Sequence, residues 1–172
     1  AADSSGWDFG SGSFTVECFV RFNALPASGN AQVLLSQWSN TTAQAAWFLG
    51  LVNNAGTYQL NFAYTTNGTT QVNNSRNVTV TTGTWYHVAV ARSGNTMRYF
   101  LDGVQAGADI DVTGVTIFNS TSLLAVGAQV NNPATPTFNF SVNGHLDEVR
   151  ITKGVARYTS AFTPPSAAFP DS

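Results

Sequence analysis

The sequence predicts an all-β fold, a two-sheet antiparallel jelly-roll sandwich. Three observations point to it. Short apolar runs alternate with polar residues at a period of two, the spacing of strands that bury one face. Gly, Asn, Ser and Pro clusters punctuate the chain between those runs. No stretch of the 172 residues keeps a 3.6-residue apolar period, so no amphipathic helix competes for the core. The length fits a single domain spanning 1–172, with an N-terminal arm (1–12) and a C-terminal strap (153–172).

The arm mixes Gly and Ser with Trp7 and Phe9. Phe14 to Phe22 is a clean alternating strand. Phe14, Val16, Cys18, Val20 and Phe22 face inward, and Thr15, Glu17, Phe19 and Arg21 face outward. Phe19 on the outward side calls for a second layer or a partner. Val33 to Gln37, Ala46 to Val52 and Tyr58 to Tyr64 read as strands, the last alternating against Gln59, Asn61 and Ala63. Gln71 to Thr82 is Thr/Val-rich and extended. Trp85 to Arg92 and Met97 to Leu101 are strands. Asp102-Gly103 supplies the positive-φ positions of a two-residue hairpin returning through Val104 to Ala106. Residues 107–122 form a loop with at most a short strand. Leu123 to Gly127 reads as a buried strand, 131–136 as a loop, and Phe138 to Val142 leads into a final strand from Gly144 to Ile151. Pro164, Pro165 and Pro170 exclude a central strand beyond that point, because proline lacks the ladder donor.

Composition narrows the partners. The chain is 43% hydrophobic but only 9% charged, with a net charge of −2. Asn, Thr, Ser and Gln carry the polarity, which suits a neutral ligand. The few scattered basic residues argue against nucleic acid, and no run reaches the length of a membrane-spanning helix. A lone Cys18 cannot form an intrachain disulfide. It reads as a buried, inert thiol. With no initiator Met and no signal-like segment, the chain reads as processed or as a fragment of something longer.

Three motifs in order, Trp85-Tyr86-His87-Val88-Ala89-Val90-Ala91-Arg92, Tyr99-Phe100-Leu101-Asp102-Gly103 and Gly144-His145-Leu146-Asp147-Glu148-Val149-Arg150-Ile151, resemble the laminin-G-like branch of the concanavalin A-like lectin/glucanase superfamily. The closing run from Thr152 to Tyr158, with Phe162-Thr163-Pro164-Pro165, is similar to the version appended to phage virion proteins. The resemblance implies a jelly roll with a curved face and members that bind glycans, proteins or steroids, sometimes through Ca²⁺. It points to an extracellular or virion-surface location, and to a glycan or host-surface receptor as partner. Other virion subunits, or further copies of the same chain, are the partners of a competing structural role.

Candidate sites follow from chemistry. A sugar site needs an aromatic platform and planar amides, which selects Trp38 with Asn40 and Thr41, and Tyr64 with Asn67. Calcium takes loop carboxylate and amide oxygens, which selects Asp109 and Asp111, with Asn131 or Asn132 from a neighbouring loop. Glycoside hydrolysis needs two carboxyls in one cleft. Asp147 and Glu148 are adjacent, so a regular strand sends them to opposite faces. Asp109 and Asp111 have i, i+2 spacing but lie in a Gly-flanked loop. The expectation is therefore no catalysis. Asp147 shares a strand face with Val149 and Ile151, so it is expected to be half-buried and structural. His87, beside Ala89 and Ala91, is expected in the core.

Overall fold

The computed structural model describes residues 1–169. Pro170 of the expected strap lies outside them. After a 3₁₀ turn at Ser5–Trp7, the described residues form β1 (Phe14–Phe22), β2 (Ala31–Gln37), β3 (Trp47–Asn54), β4 (Thr57–Tyr64), β5 (Val72–Asn77), β6 (Trp85–Ser93) and β7 (Thr96–Leu101). Then follow β8 (Val104–Gln105), β9 (Ile110–Asp111), β10 (Leu124–Val126), β11 (Gln129–Asn132), β12 (Thr137–Asn139) and β13 (Gly144–Lys153). The first sheet runs β13-β1-β6-β7-β8, with β9 also on β7; the second runs β10-β2-β3-β4-β5; β11 and β12 form a separate hairpin. Every pairing is antiparallel.

Between the sheets lies the core that the alternation implies. Phe14, Val16, Cys18, Val20 and Phe22 of β1 meet Leu35, Trp47, Leu49, Leu51, Leu60 and Phe62 of the second sheet. Phe14 stacks on Phe9 of the arm at 4.2 Å and on Phe62 at 5.2 Å between ring centroids, so the arm closes one end of the core. Burial pushes the Cys18 thiol pKa up and keeps it inert. The Asp102-Gly103 hairpin forms with φ of 50° and 76°, and the Asp102 carboxylate accepts the His87 N–H at 2.7 Å. Gly103 has a second duty, because a Cβ there would run into the Phe162 carbonyl.

That contact belongs to a third layer. Residues 154–162 cross the outer face of the first sheet: Gly154 N–H donates to the Ser13 carbonyl at 2.8 Å and Phe162 N–H to the Gly103 carbonyl at 3.0 Å. Thr15 donates its hydroxyl to the Val155 carbonyl and accepts the Arg157 N–H. Tyr158 and Phe162 stack 3.5 Å apart and pack with Ala156 on Ala89, Ala91 and Phe100. Small residues on β6 leave the room for these rings.

Under this layer Glu17, which points away from the core, is fully buried. Its Oε2 accepts from the Tyr158 hydroxyl at 2.8 Å and meets His87 Nε2 at 3.0 Å, while Oε1 accepts from Arg150 Nε at 2.8 Å. Burial alone raises the Glu17 pKa, but the bonds from His87, Arg150 and Tyr158 outweigh it and hold the carboxyl below its ordinary value. Burial, with the bond to Glu17, pushes the Tyr158 hydroxyl up to about 12. His87 is buried as its neighbours imply, with Nδ1 unpartnered among the described residues.

Three expectations need correction. Leu123 to Gly127 is not a buried strand: β10 is the edge of the second sheet and Val126 is 53% exposed. The segment read as a loop from 131 begins inside β11, which pairs with β12. The third correction concerns β13. Phe19 pairs with Asp147 but Glu17 pairs with Arg150, so β13 carries one extra residue, and Glu148 takes φ of 49° there. This β-bulge lets Leu146 and Ile151, five positions apart, both reach the core. Asp147 is consequently exposed, and the regular alternation that would half-bury it and send Glu148 to the opposite face does not hold.

Two outcomes follow for stability. Removing the Glu17 carboxylate strands Arg150, His87 and Tyr158, so Glu17→Ala should cost about 3–5 kcal/mol in urea unfolding, as for other broken buried pairs. Because Glu17 has a lowered pKa in the folded state, its contribution is complete above about pH 4.3, the ordinary glutamate value. It is lost as pH falls through the lower folded value; Glu17→Gln should abolish that acid-limb dependence. Asp147→Ala, at an exposed bulge, should change stability by less than about 0.5 kcal/mol.

Candidate functional site

The second sheet turns one face to the core and the other to a groove of about 900 Å³. Alternation decides which side chains line it. Leu49, Leu51, Leu60 and Phe62 point inward, leaving Phe48, Val52, Gln59 and Asn61 on the outer face, with Asn73 and Ser75 of β5 beside them. Gly50 lies between Val33 and Asn61 across the strands. A Cβ on Gly50 would come within 2.8 Å of the Gln32 carbonyl oxygen, so glycine keeps the floor low.

The β11–β12 hairpin supplies a wall, presenting Gln129, Asn131, Asn139 and Phe140 to the groove. It is tied to β2 by Val33 N–H donating to the Phe140 carbonyl at 2.8 Å and by Ser36 donating to the Ala128 carbonyl at 2.9 Å. A bulge in β2 between Val33 and Leu35 accompanies the first of these bonds. Phe140 takes φ of 53°, lines the groove and is 44% exposed as a residue.

Amides dominate the chemistry. Asn61 and Gln71 both donate to Asn73 Oδ1, at 3.0 and 2.6 Å. Gln59 donates to Asn77, and Asn40 to Gln129. The Asn61 Oδ1 is buried with no partner among the described residues, an acceptor held without a donor. No charged side chain lines the groove among the described residues. Carboxamides in this arrangement can both donate to and accept from hydroxyl groups.

The expected sugar residues are partly brought together. Trp38, Asn40 and Thr41 surround a smaller hollow of about 320 Å³ with the Gly68-Thr69 turn. Trp38 offers little stacking surface: it is 4% exposed, edge-on to Phe48 at 5.2 Å. Its indole N–H donates to Asn40 Oδ1 at 2.9 Å, so it positions an amide that lines the main groove. Thr41 donates to the Asn131 carbonyl. Tyr64 packs in the core between the sheets, away from Trp38. Asn67 uses its carboxamide on Thr69 and Thr70 within its own turn. Sequence reasoning missed Asn61, Asn73, Asn131 and Phe140 as groove residues, although the outward phase of Gln59, Asn61 and Ala63 already marked that strand.

The expected calcium ligands are not brought together. Asp109 gives Oδ2 to Arg98 at 2.6 Å and Oδ1 to Gln105 at 2.9 Å. The Thr113 hydroxyl and backbone N–H bind Asp111 Oδ1 and hold that carboxyl below its usual range. The Asp109 backbone carbonyl is bonded by Arg76 of β5, whereas Asn131 sits by Thr41 beyond β2. Strands β3 and β4 lie between β2 and β5. Catalysis finds no pair in the groove either, since no carboxylate lines it among the described residues. Asp147 and Glu148 do share a hollow, but on the first sheet, with Phe19 and Trp85.

Comparison with known proteins places this geometry. The family described as the concanavalin A-like lectin/glucanases superfamily matches residues 2–157. Among solved structures, a putative carbohydrate-binding protein from Bacteroides ovatus superposes with a TM-score of 0.64 at 16% identity, over 92% of this chain and 41% of that one. Domains LG4-5 of the mouse laminin alpha1 chain give 0.58 at 16% identity, over 94% and 41%. The enzymatically active domain of tailspike protein 2 from bacteriophage CBA120 gives 0.57 at 15% identity, over 86% and 23%. The chain thus spans less than half of each, and at these identities the likeness is one of fold. A search of curated proteins found no match. No helix among the described residues is long and apolar enough to cross a membrane. On the match across residues 2–157, the three-motif order and the antiparallel two-sheet architecture, the chain belongs to the concanavalin A-like lectin/glucanases superfamily.

Proposed function

We propose that this chain is a non-catalytic recognition module that binds a neutral glycan in the groove on its second sheet, as part of an extracellular or virion-surface assembly. The observation that carries the reading is the groove itself, about 900 Å³, lined largely by carboxamides and, among the described residues, by no charged group. Neutral hydroxyls can pair with the exposed groove carboxamides, among them the Asn73 N–H groups, without the desolvation cost that a charged ligand brings. The half-exposed Phe140 offers an apolar face to a sugar ring. The fold likeness to a putative carbohydrate-binding protein agrees with this reading, and the likeness to a phage tailspike agrees with a place on a virion.

A structural role in assembly is the second reading, favoured by Val126 and Phe138, each 53% exposed, beside the β10 edge. In that case self-association, rather than saccharide binding, depends on those two residues.

Glycan-array screening followed by calorimetry tests the proposal. Asn61→Ala and Asn73→Ala should each weaken binding by about 1–1.5 kcal/mol, close to tenfold, as expected for a lost hydrogen bond. Their thermal unfolding should stay near that of the parent. A silent array, together with a stable oligomer dissolved by Val126→Ser and Phe138→Ser, would sink the glycan reading. Because no charged group lines the groove, affinity should also stay level as ionic strength rises from about 0.05 to 0.5 M; a steep salt dependence would locate binding elsewhere.

A further inference from the structure

The outer face of the first sheet holds a second site chemistry that the groove does not use. Register places His145, Arg21 and Trp85 in one row across β13, β1 and β6, and Asp147, Phe19 and His87 in the next. The strap covers His87 with Tyr158 and Phe162, then continues beside the two rows. It leaves a hollow of about 450 Å³ lined by Phe19, Trp85, Asp147, Glu148 and residues 165–168. That volume is within the range of small-ligand sites.

The groups around this hollow are not accounted for by folding. Trp85 is 45% exposed, whereas Trp38 and Trp47 are 4% and 0% exposed. The His145 imidazole lies tilted beside its ring, 6.4 Å away between centroids. Asp147 spends one oxygen on the neighbouring Glu148 N–H, and no other donor reaches its carboxylate among the described residues. The bulge at Glu148, with its φ of 49°, is what turns both acids toward the aromatic ring. Glu148 in turn accepts the Phe169 N–H and so anchors the strap that walls the hollow.

We infer that this hollow is a second saccharide site, in which Trp85 stacks on the apolar face of a pyranose ring and the Asp147 carboxylate accepts its hydroxyls. An indole face beside a free carboxylate also attracts a cation. Arg21 lies in the same row as Trp85, however, its Nε bonded to the Gly83 carbonyl, and its positive charge opposes a second one. The two sites would lie on opposite sheets, so one domain engages two glycan segments and gains affinity for a dense glycan surface by multivalency. This inference stands apart from the groove and does not require it.

The test uses ¹⁵N-labelled protein titrated separately with cellobiose, maltose, lactose, N,N′-diacetylchitobiose and tetramethylammonium, following indole, backbone and side-chain amide signals. The expected result is that at least one disaccharide saturably moves the Trp85 indole signal and the Phe19 and Asp147 amides. Asp147→Ala and Trp85→Ala should each weaken that response at least tenfold, Trp85→Phe should retain most of it, and Asn61→Ala should leave it unchanged. Shifts at Trp85 with none at Asn61 and Asn73 support this site while removing the groove. Shifts confined to Asn61 and Asn73, a response to tetramethylammonium alone, no response at all, or a Trp85 shift indifferent to Asp147→Ala each overturn it.

Discussion

Glu17 is the point on which the three layers converge. It sits on β1, yet its carboxylate is held by His87 on β6, Arg150 on β13 and Tyr158 on the strap. A carboxylate removed from water is stable only with compensating donors, and here each donor comes from a different element. The strap's Tyr158 hydroxyl thus closes over a carboxylate that Arg150 of β13 and His87 of β6 also hold. Conversely, an uncovered Glu17 would be a hydrated acid on a sheet face. The ionic cluster therefore couples the order of the sheet to the closure of its outer layer. The Tyr158–Phe162 stack over Ala89 and Ala91 supplies the apolar cover that makes the charge–charge contacts strong.

The bulge in β13 solves a problem this arrangement creates. Arg150 must face outward to reach Glu17, while Leu146 and Ile151 must both face the core. Strict alternation over five positions cannot satisfy the two aliphatics together, because they have opposite parity. One extra residue, Glu148 at positive φ, repairs the parity. The left-handed backbone is unfavourable for a non-glycine residue, and the cost is offset locally by the bond from Phe169 to the Glu148 side chain. The bulge also blunts β13, which is the edge of its sheet, against pairing with other chains.

Much of this was legible in the sequence, and the parts that were not share a cause. Alternation located β1 at its observed bounds and gave the inward set correctly, because burial of one face writes itself directly into the residue pattern. The Asp102-Gly103 turn was legible because its backbone demands positive φ. What alternation cannot see is a change of phase inside a strand, so Asp147 reads as half-buried at a position that is exposed. Nor can it see a cover contributed by distant chain: Glu17 and Phe19 were outward by phase, but whether water or the strap lay over them depended on residues more than a hundred positions away. The groove was half legible. Its amides were visible as outward positions, yet the identification of Trp38 as a stacking platform confused an aromatic near the groove with one exposed in it. Trp38 instead acts through Asn40.

The two outer faces of the sandwich have different chemistry for a physical reason that begins with charge. With 9% of its residues charged, the chain concentrates ionic contacts on the first sheet, where Glu17, His87, Arg150, Asp147 and Glu148 all lie. The second sheet is left with carboxamides, whose hydrogen bonds to one another are replaceable by hydroxyls at little net cost. A surface of that kind discriminates by the placement of donors and acceptors, and so by stereochemistry, with little long-range field to steer a partner. On the proposed reading, recognition there is accordingly governed by how long a ligand stays more than by how fast it arrives. A domain with such a face gains most when several copies, or several sites, engage a repeating target together.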